Sequence, residues 1–216
     1  MDIVHPAIER YLSNLATGDD EPVLLEMEAL AKEKGFPIIG RLCGRSLEVM
    51  ARAVNAKRIF ELGSGYGYSA YWFVKAAGLD AEIHLTDGDP ENERLAKDFL
   101  TRAGLIDPIR YHVGDALESF DSVEGEFDVV YCDIDKPGYP DAWRKSRDRV
   151  RVSGLFMCDN MLWDGRVTGE VENDNTRRDD WTNPIVETNR MIVDDPDYRS
   201  FINPTRDGVV VAIRTR

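Results

Sequence analysis

Apolar positions along the chain keep two rhythms. Up to about residue 56 they recur every three to four residues, in "HPAIERYLSNLA", "PVLLEMEALAKEK" and "GRLCGRSLEVMARAV", which is the spacing of one helical face. The turn-forming stretches "TGDDEP" and "GFPIIG" separate these runs, so three helices are predicted. From Arg58 onward, short apolar runs alternate with amphipathic ones. "RIFEL", "AEIHLTD", "IRYHV", "FDVVYCD" and "GLFMCDN" read as strands. "YSAYWFVKAAG", "PENERLAKDFLTRAG" and "YPDAWRKSRDRV" read as the helices between them. Alternation of this kind predicts an α/β fold, a mostly parallel sheet with helices on both faces.

The end of the pattern differs. A long polar stretch, "WDGRVTGEVENDNTRRDDW", carries no periodicity and is followed by a helical one, "PIVETNRMIV". Two strand-like runs then close the chain, "YRSFINP" and "GVVVAIRTR", with only "TRD" between them. So short a connection cannot cross over to a parallel neighbour, so an antiparallel hairpin is expected. No repeat, low-complexity tract or Pro/Ser-rich linker divides the chain. One domain is expected over residues 1–216, helical over 1–56 with the α/β core over 57–216.

Composition narrows the partners. With 43% hydrophobic residues the chain can bury a full core, yet no run approaches the ~20 apolar residues of a membrane span. The N-terminus has no apolar leader, and the 3 cysteines (Cys43, Cys132, Cys158) are widely spaced in apolar surroundings. Both features fit a reduced, cytoplasmic protein. A formal net charge of −13 repels phosphate backbones and makes a nucleic acid an improbable partner, although a local basic patch could survive within it.

Candidate chemistry gathers where the strands end. "IFELGSGYGYSAYW" bares the backbone at Gly63, Gly65 and Gly67 between a strand and a helix. Helix N-termini offer free N–H donors there, so the stretch is a candidate cofactor cradle, with an ordinary tight turn as the plain alternative. A dinucleotide fingerprint would need glycine at position 68, where the chain has Tyr68, so nicotinamide chemistry is disfavoured. In open parallel sheets ligands bind at the carboxyl ends of strands. Those ends carry Glu61, Asp87, Asp115, Asp133 with Lys136, and Asp159 with Asn160. Asp87 lies about 20 residues beyond the glycines, where a carboxylate can chelate a ribose diol. Asp133, Asp159 and Asn160, from strands expected to be neighbours, offer hard oxygen ligands suited to Mg²⁺. Capping of the following segment by Asp159 and Asn160 is the competing reading.

These motifs resemble one family. "ELGSGYGYSA", "LTDGDP", "VGDALE", "YCDIDKPGY", "MCDNMLWDGRV" and "DGVVVAIRTR" stand in the order and spacing of the cation-dependent class I O-methyltransferases of the catechol and caffeoyl-CoA type. The resemblance implies a Rossmann-like class I methyltransferase fold with a seven-stranded sheet. It also implies S-adenosyl-L-methionine as cofactor, a divalent cation (Mg²⁺, or Mn²⁺ or Ca²⁺) and a homodimer. Ser69 would meet the methionine carboxylate, Asp87 the ribose, Asp115 and Ala116 the adenine. Ile39 would give a backbone contact, and Glu61, Gly63, Gly65, Gly67 and Asp133 complete the cofactor set. Asp133, Asp159 and Asn160 would hold the metal. Lys136 would act as base beside Asp133, its pKa depressed by the nearby cation.

The acceptor implied is a small catechol-like or phenolic molecule. Ile134 stands where relatives often carry a smaller residue, and Gly65 is an extra glycine in the loop. The segments "ALAKEKGFPIIGR" and "DDPDYRSF" resemble instead a bacterial branch that methylates a hydroxyuridine in tRNA, and Arg166, Arg177 and Arg178 would serve such a substrate. A binding domain that kept the fold without turnover is a third reading, opposed by the intact Asp133, Lys136, Asp159 and Asn160. The polar stretch from Trp163 to Trp181 follows directly on the proposed ligands, so a lid over the acceptor is expected there.

Overall fold

The computed structural model describes residues 2–16, 18, 20–171 and 181–216. Three helices come first, α1 (Pro6–Leu15), α2 (Pro22–Lys34) and α3 (Gly40–Ala53). The core then runs β1 (Arg58–Leu62), α4 (Tyr68–Ala77), β2 (Glu82–Asp87), α5 (Pro90–Arg102), β3 (Ile109–Val113), α6 (Ala116–Ser122), β4 (Phe127–Cys132), α7 (Tyr139–Ser146) and β5 (Val150–Cys158). It ends in α8 (Thr182–Val193), β6 (Tyr198–Asn203) and β7 (Val209–Arg214).

The strands form a 7-stranded sheet in the order β3-β2-β1-β4-β5-β7-β6. β1 to β5 pair in parallel, while β7 runs antiparallel to both β5 and β6. The expected hairpin is therefore present, and its second strand is inserted between β5 and β6. Because side chains alternate across a strand, each central strand feeds two cores. Ile59, Val129, Tyr131 and Met157 pack under α2 to α5, whereas Phe60, Val130, Phe156 and Val210 pack with Phe120, Trp143 and Ile185 on the other face. The outermost helix, α1, buries none of its residues.

Two local readings are corrected. α6 was not expected, because "ALESFDS" is short and buries only Phe120. It forms because the Asp115 side chain caps it, accepting from Leu117 N at 2.8 Å and Glu118 N at 2.9 Å. The helix expected over 139–150 stops at Ser146, and β5 starts at Val150 rather than Gly154. The β4 register shifts between Phe127 and Val129, which lets Val150 pair with Phe127 before the regular ladder begins at Leu155.

Strand order reverses between β1 and β4, so the cleft that α/β sheets reserve for ligands opens above these two strand ends.

Candidate active site

The glycine loop leaves β1 at that reversal. Gly63 has φ 83°, and a Cβ there would stand 2.6 Å from the Asp133 carbonyl oxygen. Glycine is required because the loop must pass the end of β4 at backbone distance. Gly67 (φ 86°) is the N-cap residue just before α4, and the face over Gly65 is closed by the Phe36 ring. The neighbouring strand holds the loop in place. Gly63 N donates to Thr86 Oγ1 at 3.0 Å, Ser64 N to Thr86 O at 2.7 Å, and Gly65 N to Asp87 Oδ2 at 3.2 Å. Asp87 Oδ1 in turn accepts from Asp89 N and Asn92 Nδ2, at 2.8 and 3.0 Å. The carboxylate thus stands fixed at the end of β2 with lone pairs to spare.

Glu61 has no exposed surface. The Ser69 hydroxyl donates to Glu61 Oε1, while Oε2 has no partner. Burial pushes the Glu61 carboxyl up to about 8, against the opposing hydrogen bond from Ser69. A buried carboxylate oxygen without a donor beside a bare-backbone loop is suited to a ligand that brings N–H or O–H groups.

Cys132 and Cys158 pair directly between β4 and β5, so Asp133 and Asp159 leave adjacent strand ends side by side. Asp133 has its carboxyl raised to about 6 by burial, partly offset by Lys136. Lys136 is itself 7% exposed and donates to Asp133 Oδ1 at 3.2 Å and to the Ile134 carbonyl at 3.3 Å. Its ammonium lies 5.0 Å from the centre of the Tyr139 ring. Burial alone lowers its pKa, but the carboxylates of Asp133 and Asp159 hold it above the usual lysine value. Asp159 is fully buried, with Oδ2 bonded to Arg206 and Oδ1 without a partner. Asn160 takes a left-handed backbone (φ 58°) and donates to Asp207 Oδ2 at 3.1 Å. Neither residue caps a following helix.

These pieces surround a cleft of about 950 Å³, whose lining includes Ile39, Asp87, Ala116, Lys136, Asn160 and Arg206. A model of the O-methyltransferase family matches residues 16–215 of the sequence. The chain belongs to the O-methyltransferase family. The catechol O-methyltransferase of Niastella koreensis is 29% identical over 173 residues, 77% of this chain and 78% of its own length. Caffeoyl-CoA O-methyltransferase 1 of Eucalyptus globulus is 29% identical over 177 residues, 79% of this chain and 72% of its own. In fold the chain resembles the O-methyltransferase TomG of Streptomyces achromogenes, solved in complex with SAM. The TM-score is 0.82 at 24% identity, over 97% of this chain and 96% of that one.

In this O-methyltransferase the thirteen residues assigned from the sequence to cofactor, metal and catalysis each lie at the cleft or are bonded to a residue that lines it. Sequence reading missed Arg206 and Asp207, which lie in the hairpin turn and reach back to Asp159 and Asn160. "TRD" carried only turn chemistry, and the contact depends on how β7 inserts. The polar stretch after Asn160 begins in tight 3-10 turns over Trp163–Thr168, with Trp163 buried and stacked on Trp181 at 5.9 Å between ring centres. Arg166 is paired with Asp164 at 3.5 Å. Arg177 and Arg178 lie outside the described residues.

Proposed function

We propose that this O-methyltransferase uses S-adenosylmethionine and a divalent cation to methylate a hydroxyl of a small aromatic acceptor, catechol-like or phenolic. The observation that carries the proposal is the fully buried Asp159 with its unpartnered Oδ1, set beside Asp133 and Asn160 at the strand ends. That oxygen-only donor set fits a hard cation. The bare glycine loop, the unpartnered Glu61 oxygen and the fixed Asp87 carboxylate fit a ligand with an amino-acid end and a ribose.

When bound, the sulfonium supplies an already activated methyl group, and the cation lowers the pKa of a hydroxyl coordinated to it. The protein's part is to place and deprotonate the acceptor oxygen. Asp87 anchors the cofactor and Glu61, buried behind the cleft, holds the Ser69 hydroxyl that lines it, while Asp133, Asp159 and Asn160 set the position of the acceptor. Lys136 Nζ, held between Asp133 and the Tyr139 ring, is the group placed to take or orient the hydroxyl proton. The neighbouring carboxylates favour its charged form, so a base role requires the charge of the bound cation to lower its pKa. Trp163 and Trp181 offer flat apolar surface for an aromatic ring, which supports this acceptor class.

Incubation with methyl-labelled cofactor and Mg²⁺, against catechols and undermodified tRNA in parallel, tests the proposal. Transfer to catechols that chelation abolishes and Mg²⁺ restores is expected. Lys136→Met should lower kcat by about 10²–10⁴-fold while calorimetric cofactor affinity stays the same. Full turnover in excess chelator removes the cation from the mechanism, and transfer to tRNA alone replaces the acceptor class.

A further inference from the structure

The turn between β6 and β7 is docked against the segment that follows β5. Met161 N donates to the Gly208 carbonyl and Leu162 N to the Asp207 carbonyl, both at 2.9 Å. Within this turn Arg206 has φ 57°, a left-handed conformation that arginine seldom adopts, so the surrounding contacts impose it. Its guanidinium bonds Asp159 Oδ2. The Arg206 side chain is 32% exposed and Asp159 is not exposed at all. Arg206 lines the cleft, whereas Asp159 does not reach the cleft surface. The guanidinium therefore stands at the cleft-side approach to the more deeply buried carboxylate.

A buried carboxylate needs a counter-charge, and here Arg206 supplies it. A divalent cation held by Asp133, Asp159 and Asn160 would supply the same charge twice over and would repel a guanidinium that shares Asp159 with it. Resting on the cation reading above, we infer that Arg206 is an internal counter-ion for the cation-free enzyme and that cation binding displaces it from Asp159. The structure offers a place for the released group. A second cavity of about 490 Å³ adjoins the first, and Arg206 and Asn160 line both. Its walls carry four carboxylates, Asp2, Glu9, Asp164 and Asp207. The released guanidinium would thus meet carboxylates again in the second cavity. Cation affinity in this enzyme is then a difference, reduced by the strength of the ion pair that has to open.

Titration of cofactor-free protein with Mn²⁺, followed by calorimetry and by the spin resonance of free Mn²⁺, tests this without any turnover. Arg206→Met removes the competitor and should bind Mn²⁺ about tenfold more tightly than wild type, the size expected from one like charge near a partly wetted site. Arg206→Lys keeps the charge and should stay within about twofold of wild type. A residue that only braced the fold would weaken binding when removed, so tighter binding separates the two roles. Should Arg206→Met not fold, a crystal structure of the wild-type protein with Mn²⁺ decides. The guanidinium is expected off Asp159 and in the second cavity. A cation bound while Arg206 stays on Asp159, or an Arg206→Met protein with unchanged or weaker affinity, overturns the inference. No Mn²⁺ binding by any of the proteins instead removes the cation reading, and this inference with it.

Discussion

Glu61 shows how a single side chain ties stability to function. Its carboxyl titrates at about 8 in the folded protein because burial disfavours the charge, against an ordinary value of 4.5. Between those values the folded state holds a proton that the unfolded chain has lost, so stability is fully present below about 4.5 and falls as pH rises through 8. Glu61→Gln mimics the neutral form. The cofactor-free variant should therefore melt with a weaker dependence on pH between 5 and 8 than wild type, as thermal scans in matched buffers will show. An unchanged slope would mean that Glu61 is already ionised in the folded protein. Glu61 was legible as the residue before the glycines. Its burial was not, because that comes from the two neighbouring strands and from α4.

Among the elements, strands and glycine loop were legible because each carries its own local signal. The apolar runs of β1 to β4 match the observed strands to within a residue or two, and the antiparallel ending followed from a connection of three residues. What escaped either lacked a buried periodic face or depended on distant partners. α6 is held by a side-chain cap more than by a buried face, and the start of β5 exists only through its pairing across the register shift with β4. Arg206 and Asp207 belong to the site because β7 lies next to β5, a fact of topology and not of spacing. The loop itself gives a prediction at this scale. In Gly63→Ala the new Cβ meets the carbonyl oxygen and carbon of Asp133 at 2.6 and 2.8 Å, backbone atoms that cannot rotate away. The variant should lose about 1–3 kcal/mol of stability in denaturant melts, by backbone strain, and bind Mn²⁺ more weakly because Asp133 must shift. Wild-type stability in this variant would show that the close approach is not needed.

Across the whole molecule the governing quantity is the formal net charge of −13. Contacts to phosphate dominate nucleic-acid affinity, and this surface opposes them at long range. Fluorescence anisotropy at about 0.15 M salt, near the physiological ionic strength at which charges are screened within ~8 Å, should show no saturable tRNA binding. Micromolar or tighter binding would mean that a basic patch outweighs the total, and would favour the tRNA acceptor. Among the described residues no helix is long and apolar enough to cross a membrane.

The position of β7 also has a consequence for synthesis. Glu61, Asp87, Asp133 and Asp159 all emerge from the ribosome before Arg206, and the strand that carries the turn into place is an interior strand of the sheet. Until it threads between β5 and β6, a nascent chain offers the β5 edge an unfilled ladder and leaves the Asp159 carboxylate without its guanidinium. A partly made protein therefore cannot close its own acidic pocket. The turn and β7, made after all four carboxylates, both fill the gap between β5 and β6 and neutralise the charge that Asp159 has buried.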